Sequence, residues 1–383
     1  MKPIVMVDLK GQYEKIKDEI DAAVLGTVRS TQFINGPQVS DFQRNLEEYL
    51  GVKHVIPCAN GTDALQIAMM ALGLEPGDEV IVPSFTYIAT AEVIALLRLT
   101  PVMVDVDEAT FNITAEAIEA AITPKTKAIV PVHLFGQSCD MEPIMHLAEK
   151  HGIAVIEDNA QAIGADYIYA DGRRAKTGTV GHIGCTSFFP SKNLGCYGDG
   201  GAIFTNDDDL AAKMRIVANH GQTRRYYHDR VGVNSRLDSI QAAILNVKLP
   251  HLDEYCEARR SVADRYDAAF ADIAGITTPA REPRSTHVFH QYTLMIADGK
   301  RDELNAFLAE RDIPSMIYYP VPLYGQKAFK ETVDPTFKLP ITERLCERVL
   351  SLPVHTEMDK ETQDYIIGGV REFFAEKATA SAE

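Results

Sequence analysis

Short runs rich in valine and isoleucine alternate with stretches of helical periodicity through the first two thirds of this chain. That alternation restricts the fold more than any other feature. The strand-like runs cover 53–58, 79–83, 102–106, 128–133 and 154–157, each bounded by turn residues. Helical stretches fall between them at 63–72, 89–97, 115–121 and 141–151, with Gly73 and Gly152 where C-terminal caps belong. The pattern predicts an α/β fold with a large, mostly parallel sheet carrying helices on both faces. Runs at 185–189 and 202–205 predict two later strands of that sheet. A helical region follows from Ser235 to about Phe270, broken at Pro250. Beyond it the pattern is mixed, with strands expected at 288–296 and 315–319 and helices at 301–311, 343–350 and 361–374. A chain of 383 residues exceeds one comfortable core. The division expected is a large domain over 20–249 and a smaller α+β domain over 250–383, with an N-terminal segment, 1–19, packing against the latter. The last residues, AEKATASAE, lack a core pattern and are expected to fray.

Composition removes several classes of function. The formal net charge of -16 opposes phosphate backbones and anionic lipid, so neither nucleic acid nor membrane is an expected partner. No apolar run approaches the ~20 residues of a membrane helix. The N-terminal stretch turns charged too soon for a signal peptide, which makes the cytoplasm the expected compartment. The six cysteines have no C-x-x-C pair and no histidine at zinc-site spacing, so they are expected to be reduced and buried, with no metal site.

Four segments carry chemistry. In EDNAQ, 157–161, Asp158 follows an apolar strand, where open α/β sheets place their ligands. A carboxylate there can hold the protonated nitrogen of a pyridine ring, and Gln161 can bond the ring's phenolic oxygen; a loop-capping aspartate is the plainer reading of Asp158 alone. In SFFPSKNLG, 187–195, Lys192 follows a strand among aromatic, proline and glycine residues. Desolvation there would lower its pKa and free the amine for covalent chemistry; an ordinary surface lysine is the bland alternative. In ANGTDAL, 59–65, a strand ends and Gly61 and Thr62 open a helix, an arrangement suited to a phosphate, with Ser187 able to add a hydroxyl. It is not a P-loop, because the lysine and longer glycine spacing are absent. Finally Lys213, Arg215, Arg224, Arg225, Arg230 and Arg236 make a basic island with Asp229 its only acid. It is either a solvated face or a clamp for an anionic substrate such as a nucleotide diphosphate. His133, ending a strand near Asp158, reads best as a structural, hydrogen-bonded histidine.

Taken together, NGTDAL, PSFTYIAT, EDNAQ, SFFPSKNLGCYGDGGAIFTND and GVNSRLDSIQAAI, in this order from about Val7 to Val354, resemble the DegT/DnrJ/EryC1/StrS family. These are nucleotide-sugar aminotransferases of fold type I that depend on pyridoxal 5'-phosphate (PLP). The resemblance implies that Lys192 holds the cofactor, that Asp158 pairs with its ring nitrogen and that Gln161 lies beside the ring. It implies further that Gly61, Thr62 and Ser187 hold the phosphate and that Tyr87 stacks on the ring face. Asn234 would reach the phosphate from the other subunit of a homodimer, with Arg236 on the substrate side of the shared site. Two positions depart from the family pattern. The small domain has Tyr318-Tyr319-Pro320 where His-Tyr-Pro is common, and Asn159 stands where a small residue is usual.

The implied reaction moves an amino group from L-glutamate to a ketosugar nucleotide. HGQTRRYYH and GVNSRLD resemble the branch that aminates UDP-2-acetamido-2-deoxy-3-keto-uronate, a precursor of surface polysaccharides such as lipopolysaccharide. Arg236, Tyr318 and Tyr319 are then the substrate contacts expected. A 4-keto-6-deoxy sugar nucleotide is the alternative substrate. Family members that dehydrate sugars replace the lysine by histidine, which Lys192 argues against. A non-catalytic regulator binding PLP or a sugar nucleotide is the alternative of another class.

Overall fold

The computed structural model describes residues 3–380 apart from 298, 332 and 335. Its main sheet is built from β1 (His54–Cys58), β2 (Glu79–Pro83), β3 (Thr100–Val104), β4 (Thr126–Ile129) and β5 (Ala154–Asp158). A hairpin of β6 (Asp166–Ile168) and β7 (Arg174–Lys176) leads to the last two strands of that sheet, β8 (Ile183–Ser187) and β9 (Gly201–Thr205). The spatial order is β1-β9-β8-β5-β4-β2-β3. Only β9 runs against its neighbours; every other pairing in this sheet is parallel.

The burial pattern shows why the strand runs carry little alternation. Val80, Val82, Ala128 and Val130 enter one apolar cluster, while Ile81 and Ile129, between them in sequence, enter another. Successive side chains leave a strand on opposite faces, so both faces of the sheet are covered by helices. Helix Gly61–Leu72 ends on Gly73 and helix Met141–His151 on Gly152, both in the left-handed conformation that glycine adopts without penalty.

A smaller sheet follows. After a hairpin of β10 (Gln222–Arg224) and β11 (Tyr227–His228) come β12 (Ile276–Thr277), β13 (Tyr292–Ile296) and β14 (Val349–Leu352), paired antiparallel in that order. Its core gathers Val262, Tyr266, Tyr292, Leu350 and Ile366, with Ile4 packed against it. The helical region past Ser235 is two helices, Ser239–Lys248 and Leu252–Phe270, joined by a 3-10 turn at Leu249–His251 that contains Pro250. The second spans both cores: Leu252 and Cys256 pack on the main sheet, Val262 and Tyr266 on the smaller one.

Four expectations need correcting. The helix predicted over 343–350 is Pro340–Arg348 and stops before β14, because Val349-Leu350-Ser351-Leu352 is fully buried and pairs with β13. The strand predicted over 315–319 reduces to a single bridge between Met316 and Ser351. The run 288–296 becomes a strand only from Tyr292. The tail, expected to fray from Ala375, continues as helix through Ala380; residues 381–383 lie outside the described residues.

Candidate active site

Strands β1, β5 and β8 run in the same direction, so their C-terminal ends share one edge of the sheet. That edge collects Asn60 and Gly61 after β1, Asp158 at the end of β5, and Ser187 and the turn to Lys192 after β8. A cavity of about 860 Å³ opens there. Gly61, Thr62, Tyr87, Asp158, Gln161, Ser187, Lys192, Tyr318 and Tyr319 all line it.

Asp158 is 6% exposed and rigidly held. Its backbone N–H donates to the Pro131 carbonyl at 2.9 Å. Its Oδ2 accepts from the Thr90 hydroxyl at 2.8 Å and its Oδ1 from the Ala160 amide at 3.1 Å. The neighbouring Glu157 points the other way, into a fully buried pair with His133 at 2.7 Å, and accepts the amides of Gly178 and Val180. His133 Nδ1 accepts from the Cys139 amide at 3.1 Å, so both ring nitrogens have structural work.

Lys192 sits on a tight turn, its amide donating to the Phe189 carbonyl at 2.8 Å. Burial pushes its ammonium down to about 8, with the Asp158 carboxylate pulling the other way. Lys248, buried and with no carboxylate paired to it among the described residues, donates to the Gly195 carbonyl and fastens the far side of that turn.

The helix start is shaped for an anion. Asn60 caps it, its side chain accepting from the Asp63 amide at 2.8 Å. The Gly61 and Thr62 amides belong to the first turn, where no intrahelical acceptor exists. Packing is too close for side chains here: a Cβ on Gly61 would lie 2.8 Å from Ser187 Cβ, and one on Gly201 would lie 2.5 Å from the Asn60 carbonyl. In the same cavity the Thr86 hydroxyl is buried and has no partner among the described residues.

Aromatic side chains also line the cavity. Gln161 accepts from the Phe135 amide at 2.8 Å and donates to the Tyr319 hydroxyl at 3.1 Å. Burial raises the Tyr319 phenol above its ordinary pKa. Tyr87, 58% exposed, turns its ring toward Tyr319 with centroids 6.4 Å apart.

Asn234 and Arg236 are not brought into this cavity. Asn234 is exposed and bridges Asn219, while the intervening Ser235 accepts from the Ala59 amide at 2.9 Å. The basic island is also split. Arg215 donates to the Val55 carbonyl, whereas Arg224 and Arg225 stand exposed on the β10–β11 hairpin beside the rings of Tyr227 and Tyr226.

Sequence reasoning passed over Thr90, Thr86, His290 and Lys248. Thr86 and Thr90 lie in PSFTYIAT, but nothing in their spacing from Asp158 marks them. All six cysteines are buried and unpaired. Among the described residues no cluster suited to a metal ion occurs, and no helix is long and apolar enough to cross a membrane.

These features can be set against known proteins. Residues 14–371 match the model of the DegT/DnrJ/EryC1/StrS aminotransferase family. The chain is 49% identical, over 93% of its length and 96% of the relative's, to UDP-2-acetamido-2-deoxy-3-oxo-D-glucuronate aminotransferase of Pseudomonas aeruginosa. It is 48% identical to a pleiotropic regulatory protein of Geobacillus stearothermophilus, with 97% and 98% covered. A third relative is UDP-N-acetyl-3-dehydro-alpha-D-glucosamine 3-aminotransferase of Acidithiobacillus ferrooxidans, 46% identical with 94% of each chain covered. Among solved structures, DesV of S. venezuelae in complex with a ketimine intermediate superimposes with a TM-score of 0.92 at 38% identity, covering 97% and 99%. NtdA of Bacillus subtilis with bound cofactor PMP does so with a TM-score of 0.87 at 31% identity, covering 94% and 82%. The chain therefore belongs to the DegT/DnrJ/EryC1/StrS aminotransferase family and is a PLP-dependent sugar-nucleotide aminotransferase with the fold-type-I architecture.

Proposed function

We propose that this enzyme transfers the amino group of L-glutamate to UDP-2-acetamido-2-deoxy-3-keto-uronate, giving the 3-amino sugar for a surface polysaccharide such as lipopolysaccharide. The observation that carries the site assignment is that Asp158, Lys192 and the Gly61 helix start converge on one cavity. The residues fit the cofactor. The first-turn amides of Gly61 and Thr62 and the Ser187 hydroxyl would take its phosphate, and the Thr86 hydroxyl, without a partner among the described residues, would be a further donor at the site. Tyr87 would cover a ring face, and the second amide hydrogen of Gln161 would be free for the ring's phenolic oxygen.

When bound, PLP supplies a protonated pyridine ring that accepts the electrons left as a proton departs the amino-bearing carbon. Asp158, fixed by Thr90 and the Ala160 amide, keeps the ring nitrogen charged. Lys192 holds the cofactor at rest. Its amine, when free, would carry the proton from the donor's α-carbon, a task suited to an amine whose pKa burial lowers to about 8.

The cavity's own charges are Asp63, Asp158 and Asp199 against Lys192. A substrate bearing a diphosphate and a carboxylate needs more positive charge than that lining offers. A homodimer in which the partner brings in Asn234 and Arg236 supplies it, with Tyr318 and Tyr319 as neutral hydrogen-bonding neighbours of the sugar. A large unit over 20–249, a small unit over 250–383 joined by the N-terminal segment, and action in the cytoplasm complete the reading. The likeness at 49% identity to an enzyme named for the 3-oxo-glucuronate supports the choice of sugar. The test is to offer the amino form of the enzyme the 3-keto-uronate and a 4-keto-6-deoxy sugar nucleotide at matched concentration. Faster return of the resting absorbance with the uronate is expected; faster return with the deoxy sugar overturns the choice of sugar.

A further inference from the structure

We propose that His290 is a positioning residue for Lys192: a neutral imidazole that gives the lysine amine a fixed hydrogen-bond partner while it moves the proton. The proposal rests on the role given to Lys192 above. Among the described residues His290 is the one histidine lining the cavity. It is 6% exposed, and its Nδ1 has no hydrogen-bond partner among the described residues. A buried polar atom left unpaired is costly and calls for a partner supplied in a working state of the site.

The segment that carries His290 is held with unusual firmness. Phe289, just before it, adopts a left-handed backbone with φ 46°, unfavourable for a bulky aromatic residue. Its ring stacks on His287 with centroids 3.8 Å apart. Arg259, 3% exposed, donates Nη1 to the carbonyls of Val354 at 2.9 Å, Phe289 at 3.2 Å and His290 at 3.4 Å. No carboxylate pairs with this guanidinium among the described residues, so its hydrogen bonds go to the backbone. Asn193, adjacent to Lys192, donates to the Val288 carbonyl at 3.2 Å. The Lys192 turn and the His290 segment are thus tied to each other directly.

Charge favours the same role. Burial, and after it the positive charges of Lys192 and Arg259, hold the imidazole well below its ordinary pKa. A neutral His290 does not compete for the proton that Lys192 carries, yet its unprotonated nitrogen can accept an N–H from the lysine amine.

The holoenzyme, His290→Leu and His290→Asn test this. His290→Leu should slow the half-reaction with glutamate about tenfold or more, because a misaimed amine loses the geometry of proton transfer. The primary isotope effect with α-deuterated glutamate should rise. His290→Asn, whose amide can stand in for Nδ1, should recover the rate to within about threefold. Equal loss in both variants, tracking their melting temperatures with an unmoved isotope effect, would mean a purely structural residue and overturn the proposal. A second measurement needs only the wild type to be folded: selective ¹⁵N-histidine NMR should find His290 neutral with Nδ1 unprotonated at pH 7. An imidazolium there overturns the proposal. Borohydride labelling of a lysine other than Lys192 sinks the assignment of Lys192 itself; a label on Lys192 with an unchanged isotope effect in His290→Leu sinks this inference alone.

Discussion

The depressed pKa of Lys192 can be measured without substrate. In the cofactor-free enzyme, competitive acetylation followed across pH should return a midpoint near 8 for Lys192, against 10.5 for an ordinary lysine. The cause is loss of water around the ammonium, opposed by the Asp158 carboxylate. At pH 7 an amine of pKa about 8 is neutral in ~10% of molecules against ~0.03% for the ordinary value, roughly a 300-fold gain in reactive amine. Asp158→Asn removes the opposing carboxylate while Thr90 and Ala160 keep polar partners, so the midpoint should fall further. The linkage to stability has a definite sign. Because the folded-state pKa lies below that of the unfolded chain, protonated Lys192 costs stability in full below pH 8, and the cost fades as pH rises toward 10.5. Lys192→Met should therefore raise the Tm of the cofactor-free protein more at pH 7 than at pH 10. A Lys192 midpoint close to 10.5, or one that rises in Asp158→Asn, would refute the reasoning.

Other consequences are equally direct. Asp158→Asn should retain cofactor yet lose about 10²-fold or more in turnover, read in the glutamate half-reaction, since an amide cannot stabilise a charged ring nitrogen. Gly61→Ala should weaken cofactor binding, measured by equilibrium dialysis, because its Cβ would strike Ser187 at 2.8 Å. Lys192→Ala and Asn234→Asp, each inactive alone, should regain partial activity as mixed dimers, since one hybrid site has both native residues; no recovery despite proven mixing would remove Asn234 from a shared site. Arg236→Ala should raise the KM for the sugar nucleotide while leaving the glutamate half-reaction near normal.

Much of this architecture was legible in the sequence because it rests on local signals. The β–α alternation, Gly73 and Gly152, and the breaks after Cys58 and Asp158 are properties of short segments, and they place one edge of the sheet almost unaided. The failures have two physical origins. Val349–Leu352 is a buried apolar run beside a helix, and periodicity cannot separate a buried strand from a buried helix end. The reverse error at 315–319 arose because a β-rich composition found a single bridging partner. Lys192 and Asp158 stood out by their places after strands. Thr90, Arg259 and His290 did not, because Thr90 meets Asp158 across 68 residues, Arg259 meets Phe289 across 30, and only the folded chain brings His290 into the cavity that Lys192 lines. Arg236 and Asn234 lie outside the cavity of their own chain, so a second subunit is needed to give them the roles the resemblance implies.

The most direct test of the central claim is reduction of the purified enzyme with borohydride followed by peptide mapping. A cofactor-derived mass on the peptide containing Lys192, absent after prior incubation with glutamate, is the result predicted. A label on any other lysine, or one that prior incubation with glutamate fails to prevent, would contradict the account.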